Sequence, residues 1–229
     1  MDKKFNFPEG YHYIKKSARI IEARYDFDLW EQRLFLSLIY QINKEGSGRT
    51  DYRLFYNDIT RMFRTRNTTL NIRKAELSLL EKLITVDHIP GLETYNILQD
   101  VRHGNYKRQD YADIIVDSRL IPLLAYLYLS EDIVTYDFKN IVHLSAYSIR
   151  IYEILKLSHS LGQRTIGIDR INWMLMLEKD YPVFNKLYKK VLSPVVNEIN
   201  SYTDIEITYM EAIKENGAVI AICFYFKNK

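Results

Sequence analysis

With 229 residues, 47% of them hydrophobic and 27% charged, the chain has an ordinary globular composition, long enough for one large domain or two small ones and able to fold without disulfides or metals. Its 32 Lys and Arg against 29 Asp and Glu leave a net charge of +3, which excludes a polybasic, histone-like protein but not a local basic patch. The single cysteine, Cys223, excludes an intrachain disulfide and a thiolate zinc cluster, and the 8 glycines count against a glycine-loop enzyme.

The N-terminal MDKKFNFPEG lacks the apolar stretch of a signal peptide, and no run of about 20 apolar residues follows, so a cytoplasmic protein without a membrane partner is expected. Asp28 caps a helix from Leu29, with Glu31 at the capping-box position. Leu34, Phe35, Leu38, Ile39 and Ile42 form its core stripe, and Gly46 and Gly48 end it. A short second helix starts at Asn57 or Thr60. From Arg61 to Lys74 the cations Arg61, Arg64, Arg66, Arg73 and Lys74 follow one another with no acid between them. Thr68 and Thr69 can cap a third helix there, burying Ile72, Ala75, Leu79 and Leu83 and turning Arg73 and Lys74 outward. Cations in the first turns of a helix oppose its dipole, so an external anion such as a phosphate would make the placement favourable. Glu93–Val101 and Tyr111–Val116 read as strands joined through His103–Asp110, a loop holding Lys107 and Arg108. A basic helix followed by a basic hairpin tip is the order of a winged helix. Ile121–Leu129 reads as a buried helix, and Ser130–Asn140 as a connector.

The order then repeats. Ser145 precedes a helix burying Tyr147, Ile151, Ile154, Leu155 and Ser158, Gly162 stops it, and Arg164–Ile168 is a short strand. Asp169 caps the next helix and Pro182 opens a third. That third helix carries Phe184, Leu187, Tyr188, Val191, Val195 and Ile199 on its apolar stripe, with Asn185, Lys186, Lys189 and Lys190 off it; Pro194 should kink or split it. Ile205–Met210 and Ala218–Phe226 form a hairpin around the tight turn Asn216-Gly217. The second of these strands is apolar on both faces, so it is expected at the centre of its sheet, with Cys223 buried. The fold class is α+β, two tandem winged-helix domains, taken as 1–130 and 131–229.

No phosphate-loop, dinucleotide, zinc-protease or serine-elbow motif occurs, and the five histidines form neither an i,i+4 pair nor a His-x-His. No enzyme, metal or cofactor is expected. The 19 tyrosines have no metal triad or Arg/His set to support a nucleophile.

Three blocks resemble the initiator Rep proteins of theta-replicating, iteron-containing plasmids: Ile14–Asn43 with DLWEQRLFLSLIYQIN, Ile114–Leu129 followed by VTYDFKNIVHLSAYSIRIYEILK, and FNKLYKKVLSPVVNEINSYTDIEITYMEAIKENGAVIAICFYF. The block with Arg150, Tyr152 and Glu153, and the pair Glu198-Ile199-Asn200 and Thr203-Asp204, are especially similar. The resemblance implies binding of double-stranded DNA at direct repeats, one winged-helix domain per major-groove segment. It also implies a dimer that represses its own promoter at an inverted repeat, and recruitment of the host replication helicase machinery. It places Lys186, Lys189 and Lys190, with Asn185, on the second recognition helix and Arg73 and Lys74 on the first. Lys107 and Arg108 fall on the first wing, and Arg150 is a backbone contact; Arg64, Arg66 and Thr68 complete the DNA-binding set. The second wing is short, with Lys214 as its cation. A dimeric winged-helix repressor without an origin role would share these features.

Overall fold

A computed structural model describes residues 13–46, 48–66, 68–88, 91–125, 133–177 and 183–229. The described residues begin with β1 (Tyr13–Ser17), α1 (Ala18–Ile21) and α2 (Leu29–Glu45). The capping box forms as expected: Asp28 Oδ1 accepts from the Trp30 and Glu31 amides at 2.7 and 2.9 Å, and the Glu31 carboxylate accepts from the Asp28 amide at 2.6 Å. Gly46, at φ 86°, occupies the left-handed region that releases the chain from α2. Next come β2 (Asp51–Phe55), α3 (Tyr56–Met62), α4 (Thr69–Glu81), β3 (Leu83–His88), β4 (Gly91–Asn96), β5 (Leu98–Tyr106), β6 (Gln109–Val116) and α5 (Ile121–Leu124). The second half holds β7 (Ile133–Asp137), α6 (Ala146–Lys156), β8 (Gln163–Gly167), α7 (Ile168–Leu175), α8 (Phe184–Leu187), a π turn over Tyr188–Leu192, α9 (Ser193–Tyr202), β9 (Ile205–Glu215) and β10 (Ala218–Asn228).

The two halves share one plan, and each is a winged helix. In the first, helix α2, strand β2, helices α3 and α4 and the hairpin β5–β6 give a sheet ordered β2-β6-β5. In the second, α6, β8, α7, the α8–π–α9 helix and the hairpin β9–β10 give β8-β10-β9. In both, the short strand pairs with the last strand of the hairpin. The central place expected for the Ala218–Phe226 strand is where β10 lies, with Cys223 buried.

Several details differ from expectation. The span Glu93–Val101 divides into β4 and β5 at the fully buried Ile97, and β4 pairs back on β3 as an extra hairpin. Leu83 therefore leaves the α4 stripe and stands exposed in β3. The β5–β6 connection shrinks to the two residues Lys107 and Arg108. Within the expected connector, Ile133–Asp137 is a strand, β7, pairing antiparallel with β1 from Tyr13↔Asp137 to Ser17↔Ile133. Each partner precedes the first helix of its own half, so this ribbon joins the halves. In the buried helix expected at Ile121–Leu129, Ile121–Leu124 is helical; residues 126–129, like Pro182, lie outside the described residues. Gly167 rather than Asp169 occupies the N-cap position of α7.

The break expected at Pro194 falls just before it: a π turn separates α8 from α9, and Pro194 is the second residue of α9. Proline lacks an N–H and its ring collides with the carbonyl four residues back, here that of Lys190. The widened π turn lies over that carbonyl. Its signature is in the packing: Leu187 and Leu192, five apart and on opposite faces of an ideal α-helix, are both 0% exposed.

A buried ionic cluster sits where the halves meet. Lys16 Nζ of β1 lies 2.7 Å from Glu153 Oε2 of α6, both side chains being essentially inaccessible. Lys16 also donates to the Tyr25 hydroxyl at 3.1 Å, and the Tyr136 hydroxyl of β7 donates to Glu153. The Arg150 guanidinium stacks 3.6 Å over the Tyr25 ring and donates to the Ala23 carbonyl at 2.6 Å. Two cations thus face one carboxylate. Burial pushes Lys16 down to about 8 against the opposing pull of Glu153, and burial also lowers Arg150. Outside this cluster, Arg24 donates to the Trp173 carbonyl at 3.0 Å, Arg170 pairs with Asp87 at 2.9 Å, and Arg164 pairs with Glu22.

Glu153→Gln removes the cluster's carboxylate charge and leaves two buried cations, so the urea midpoint should fall by the equivalent of about 3–5 kcal/mol at an unchanged slope. In the wild type, the unfolded chain keeps the Lys16 proton up to 10.5 while the folded chain releases it near 8. Stability should therefore rise with pH from about 8 until tyrosines begin to ionise near 10.0, an increase that Lys16→Met reduces in urea titrations at stepped pH.

Candidate nucleic-acid interface

In each half the third helix packs one side on the core and presents the other to solvent. On α4, Ile72, Ala75, Glu76 and Leu79 are buried, while Arg73 and Lys74 are exposed, as are Arg64 and Arg66 just before the helix. Thr68 is a different case. It is buried at the N-cap position without a side-chain bond to the helix, its hydroxyl 2.7 Å from that of Thr60. That bond holds α4 on α3, so Thr68 is not available to a phosphate.

Glu76 ties α4 to the wing. Its Oε2 accepts from the Tyr56 hydroxyl at 3.0 Å and lies 2.7 Å from His103 Nε2 on β5. Burial raises the Glu76 carboxyl above its usual range despite these donors. Farther along β5, Gly104 is needed for space: a Cβ there would stand 2.3 Å from the Tyr111 ring. That ring carries the Arg53 guanidinium 3.9 Å above it, and Arg53 binds Asp113 through two nitrogens at 2.7 and 2.8 Å. The wing base is therefore held by a glycine, a ring and a bidentate ion pair.

At the tip, Lys107 (φ 50°) and Arg108 (φ 63°) both occupy the left-handed region. A two-residue turn of this kind is best filled by Asn-Gly, which the second wing has at Asn216 (φ 50°) and Gly217 (φ 83°). Holding a non-glycine residue there costs about 1–3 kcal/mol. The first wing thus accepts strain in order to display two adjacent cations, and Arg64, at φ 49°, is another cation so placed.

In the second half, Asn185, Lys186, Lys189 and Lys190 are all exposed on the α8–π segment, and the three lysines form no ion pair with the described residues. Phe184, Asn185 and Tyr188 line a shallow groove with Met210, Ala212 and Ile222 of the wing strands. Tyr188, expected on the buried stripe, is exposed, and Leu192 takes the core position instead.

Arg150 does not belong to this surface. It is 3% exposed, in the joint between the halves, so its expected role as a DNA backbone contact is corrected to an internal one. Sequence reading missed Leu70 and Leu77, exposed on the outer face of α4 beside Arg73 and Lys74; their position opposite the buried stripe was the available signal. Among the described residues, no group of three His, Cys, Asp or Glu is placed to hold a metal ion, and no helix is long and apolar enough to cross a membrane.

Two winged-helix domains in tandem, each with a cationic third helix, define a class of nucleic-acid-binding architecture. Comparison with known proteins identifies the family. Residues 13–156 match the model "Initiator Replication protein, WH1" and residues 167–226 match "Initiator Rep protein, WH2", so the chain belongs to the initiator Rep protein family. An Escherichia coli "Replication initiation protein" is 23% identical over 207 residues, 85% of this chain and 64% of that protein; this chain thus spans about two thirds of that relative's length. Among solved structures, the Pi initiator protein in complex with iteron DNA aligns over 97% of this chain and 99% of its own, at 13% identity and a TM-score of 0.71. RctB domains 2–3 align over 94% and 91%, at 10% identity and a TM-score of 0.51. These structures bear on the fold.

Replacing Lys107 and Arg108 together by Asn and Gly should relieve the turn and raise stability by about 1–2 kcal/mol, read from the denaturant midpoint. The same variant should bind DNA more weakly, with a smaller salt dependence in a fluorescence-anisotropy titration.

Proposed function

We propose that the chain is a plasmid replication initiator that binds repeated origin DNA, iterons, sequence-specifically through its two winged-helix modules. The observation that carries this reading is the repeated placement of exposed cations on the third helix of each half: Arg73 and Lys74 on α4, Lys186, Lys189 and Lys190 on α8 and the π turn. Family membership and the name of the Escherichia coli relative support it, as does the fold shared with an initiator solved on iteron DNA.

In the mechanism, Lys and Arg anchor the phosphates and fix register, while the outward side chains of the two third helices, Asn185 among them, read base edges in successive major-groove segments. Arg64 and Arg66 approach the backbone at the start of α4, and Lys107 and Arg108 do so from the wing. The second wing, with Asn216-Gly217 at its tip, contributes less charge. We take the modules as 1–130 and 131–229; β7 preceding α6 as β1 precedes α2 supports that division. As a dimer the protein would bind an inverted repeat and repress its own promoter. At the origin it would open adjacent DNA and bring in the host replication helicase machinery in the cytoplasm.

Lys186→Ala with Lys189→Ala should weaken binding to direct-repeat DNA and lower the slope of log affinity against log salt by about 2, one per lost phosphate contact. Footprints of the wild type should show two protected segments roughly one helical turn apart on one face of the duplex. Unchanged affinity and slope in the double variant would remove these lysines from the interface.

A further inference from the structure

The outer face of α4 is not uniformly polar. Leu70 is 73% exposed and Leu77 is 61% exposed, and Arg73 and Lys74 lie between them on the same stripe. Leu70 sits in the first turn of the helix, and the exposed Arg64 and Arg66 precede it. The acid on this face, Glu81, stands at the far end. An isolated exposed leucine needs no explanation, but two of them seven residues apart on one face, flanked by cations, form an apolar stripe within a cationic surface. A polyanion with apolar groups at matching positions is the complement of that stripe.

If α4 enters a major groove, as the proposed function requires, what the leucines can meet is limited. Cytosine and adenine offer an amino donor there and guanine offers two acceptors; thymine alone among the four bases offers a methyl group. A leucine laid over an amino or carbonyl edge strips its water without replacing the hydrogen bond, whereas a leucine on a methyl buries apolar surface on both sides. Seven residues of α-helix span about 10 Å, and three base-pair steps span about the same distance.

We infer that Leu70 and Leu77 are specificity-determining residues that read thymine methyl groups roughly three base pairs apart in the half-site of the first module. This inference rests on the DNA-binding reading above and adds to it the identity of the bases. The two leucines replace hydrogen-bonding side chains as the base readers of α4, and Arg73 and Lys74 hold the helix on the flanking phosphates.

The experiment is a selection from a random duplex library of about 30 base pairs with the full chain, then with Leu70→Ala and Leu77→Ala. Both residues are exposed and alanine favours helix, so both variants should fold with unchanged thermal midpoints. The wild type should select two thymines about three base pairs apart in one half-site. Leu70→Ala should lose the preference at one of them and Leu77→Ala at the other. In the selected duplex, deoxyuridine in place of either thymidine should weaken wild-type binding about fourfold, the value of one buried methyl group, and should leave the corresponding alanine variant unaffected. A selection that returns a consensus whose thymine preferences survive both alanine substitutions overturns the inference while leaving the DNA-binding reading intact; it would point to a protein covering this face. A selection that returns no consensus overturns both.

Discussion

One buried group of charges joins strand β1 to helix α6, and with them the two halves of the fold. Lys16 comes from the strand before the first helix of the first module, Glu153 and Arg150 from the first helix of the second, and Tyr25 and Tyr136 close the group from either side. Burying an ion pair is a poor source of net stability, because desolvation offsets most of the attraction. Where it acts, it acts on arrangement, because another packing would leave one of these charges without its partner in a low-dielectric interior. Here the surplus is positive, and two nitrogens of Arg150, Nε and Nη1, make no hydrogen bond within the described residues. The cluster is thus crowded with positive charge and only partly hydrogen-bonded. Around it lie contacts of the ordinary kind: the β1–β7 ribbon, the Arg170–Asp87 pair and the Arg24 bonds to the Thr85 backbone and the Trp173 carbonyl.

The two modules share a topology but spend their local conformational energy differently. The second wing uses Asn216-Gly217, the pair best suited to a tight turn, and its strands carry an apolar inner face against the helices. The first wing uses Lys107-Arg108 at the same kind of turn, and its base is fixed by Tyr111 over Gly104 and by Arg53 on Asp113. The third helices differ in the same way. α4 runs as an uninterrupted α-helix with leucines and cations outward, while the second helix carries a π turn that places Lys189 and Lys190 together on its outside and keeps Leu187 and Leu192 inside. A strained backbone at a cationic tip in one module, and a widened helix under a cationic face in the other, are departures from local preference at the surfaces assigned to DNA.

Much of this was legible in the sequence, for reasons that can be stated. The capping box at Asp28, the stripe from Leu34 to Ile42, the Asn216-Gly217 turn and the doubly apolar β10 are local signals with local causes, and each appears where its residues place it. The β3–β4 hairpin was not legible, because a strand over Glu93–Val101 matches the same alternation, and the break at Ile97 depends on that residue packing into the core. Strand β7 was hidden for the same reason, since its partner β1 lies more than a hundred residues away. Arg150 misled because a cation on a helix reads as surface unless one sees the Tyr25 ring and the Ala23 carbonyl that receive it. The residues that carried the family resemblance turn out to serve the scaffold. Glu198 accepts from the Ser145 amide at the start of α6, Asn200 pairs with the Ile207 backbone of β9, and Asp204 accepts from Tyr152 and Lys156. A family likeness built from such residues reports the fold more directly than it reports the interface.

The same distinction accounts for the net charge. A balance of +3 is low for a protein assigned to DNA, yet many of its charges cancel inside the chain. Arg53, Arg119, Arg164 and Arg170 are all taken up by carboxylates, and Lys16 and Arg150 are sealed in the joint. Among the described residues, Lys74, Lys186, Lys189 and Lys190 of the third helices and Lys107 and Arg108 of the first wing are exposed and stand in no ion pair. In the proposed function these two cationic faces bind DNA together, so the packing of one half on the other, of which the buried cluster is a part, would set the separation of the segments they reach.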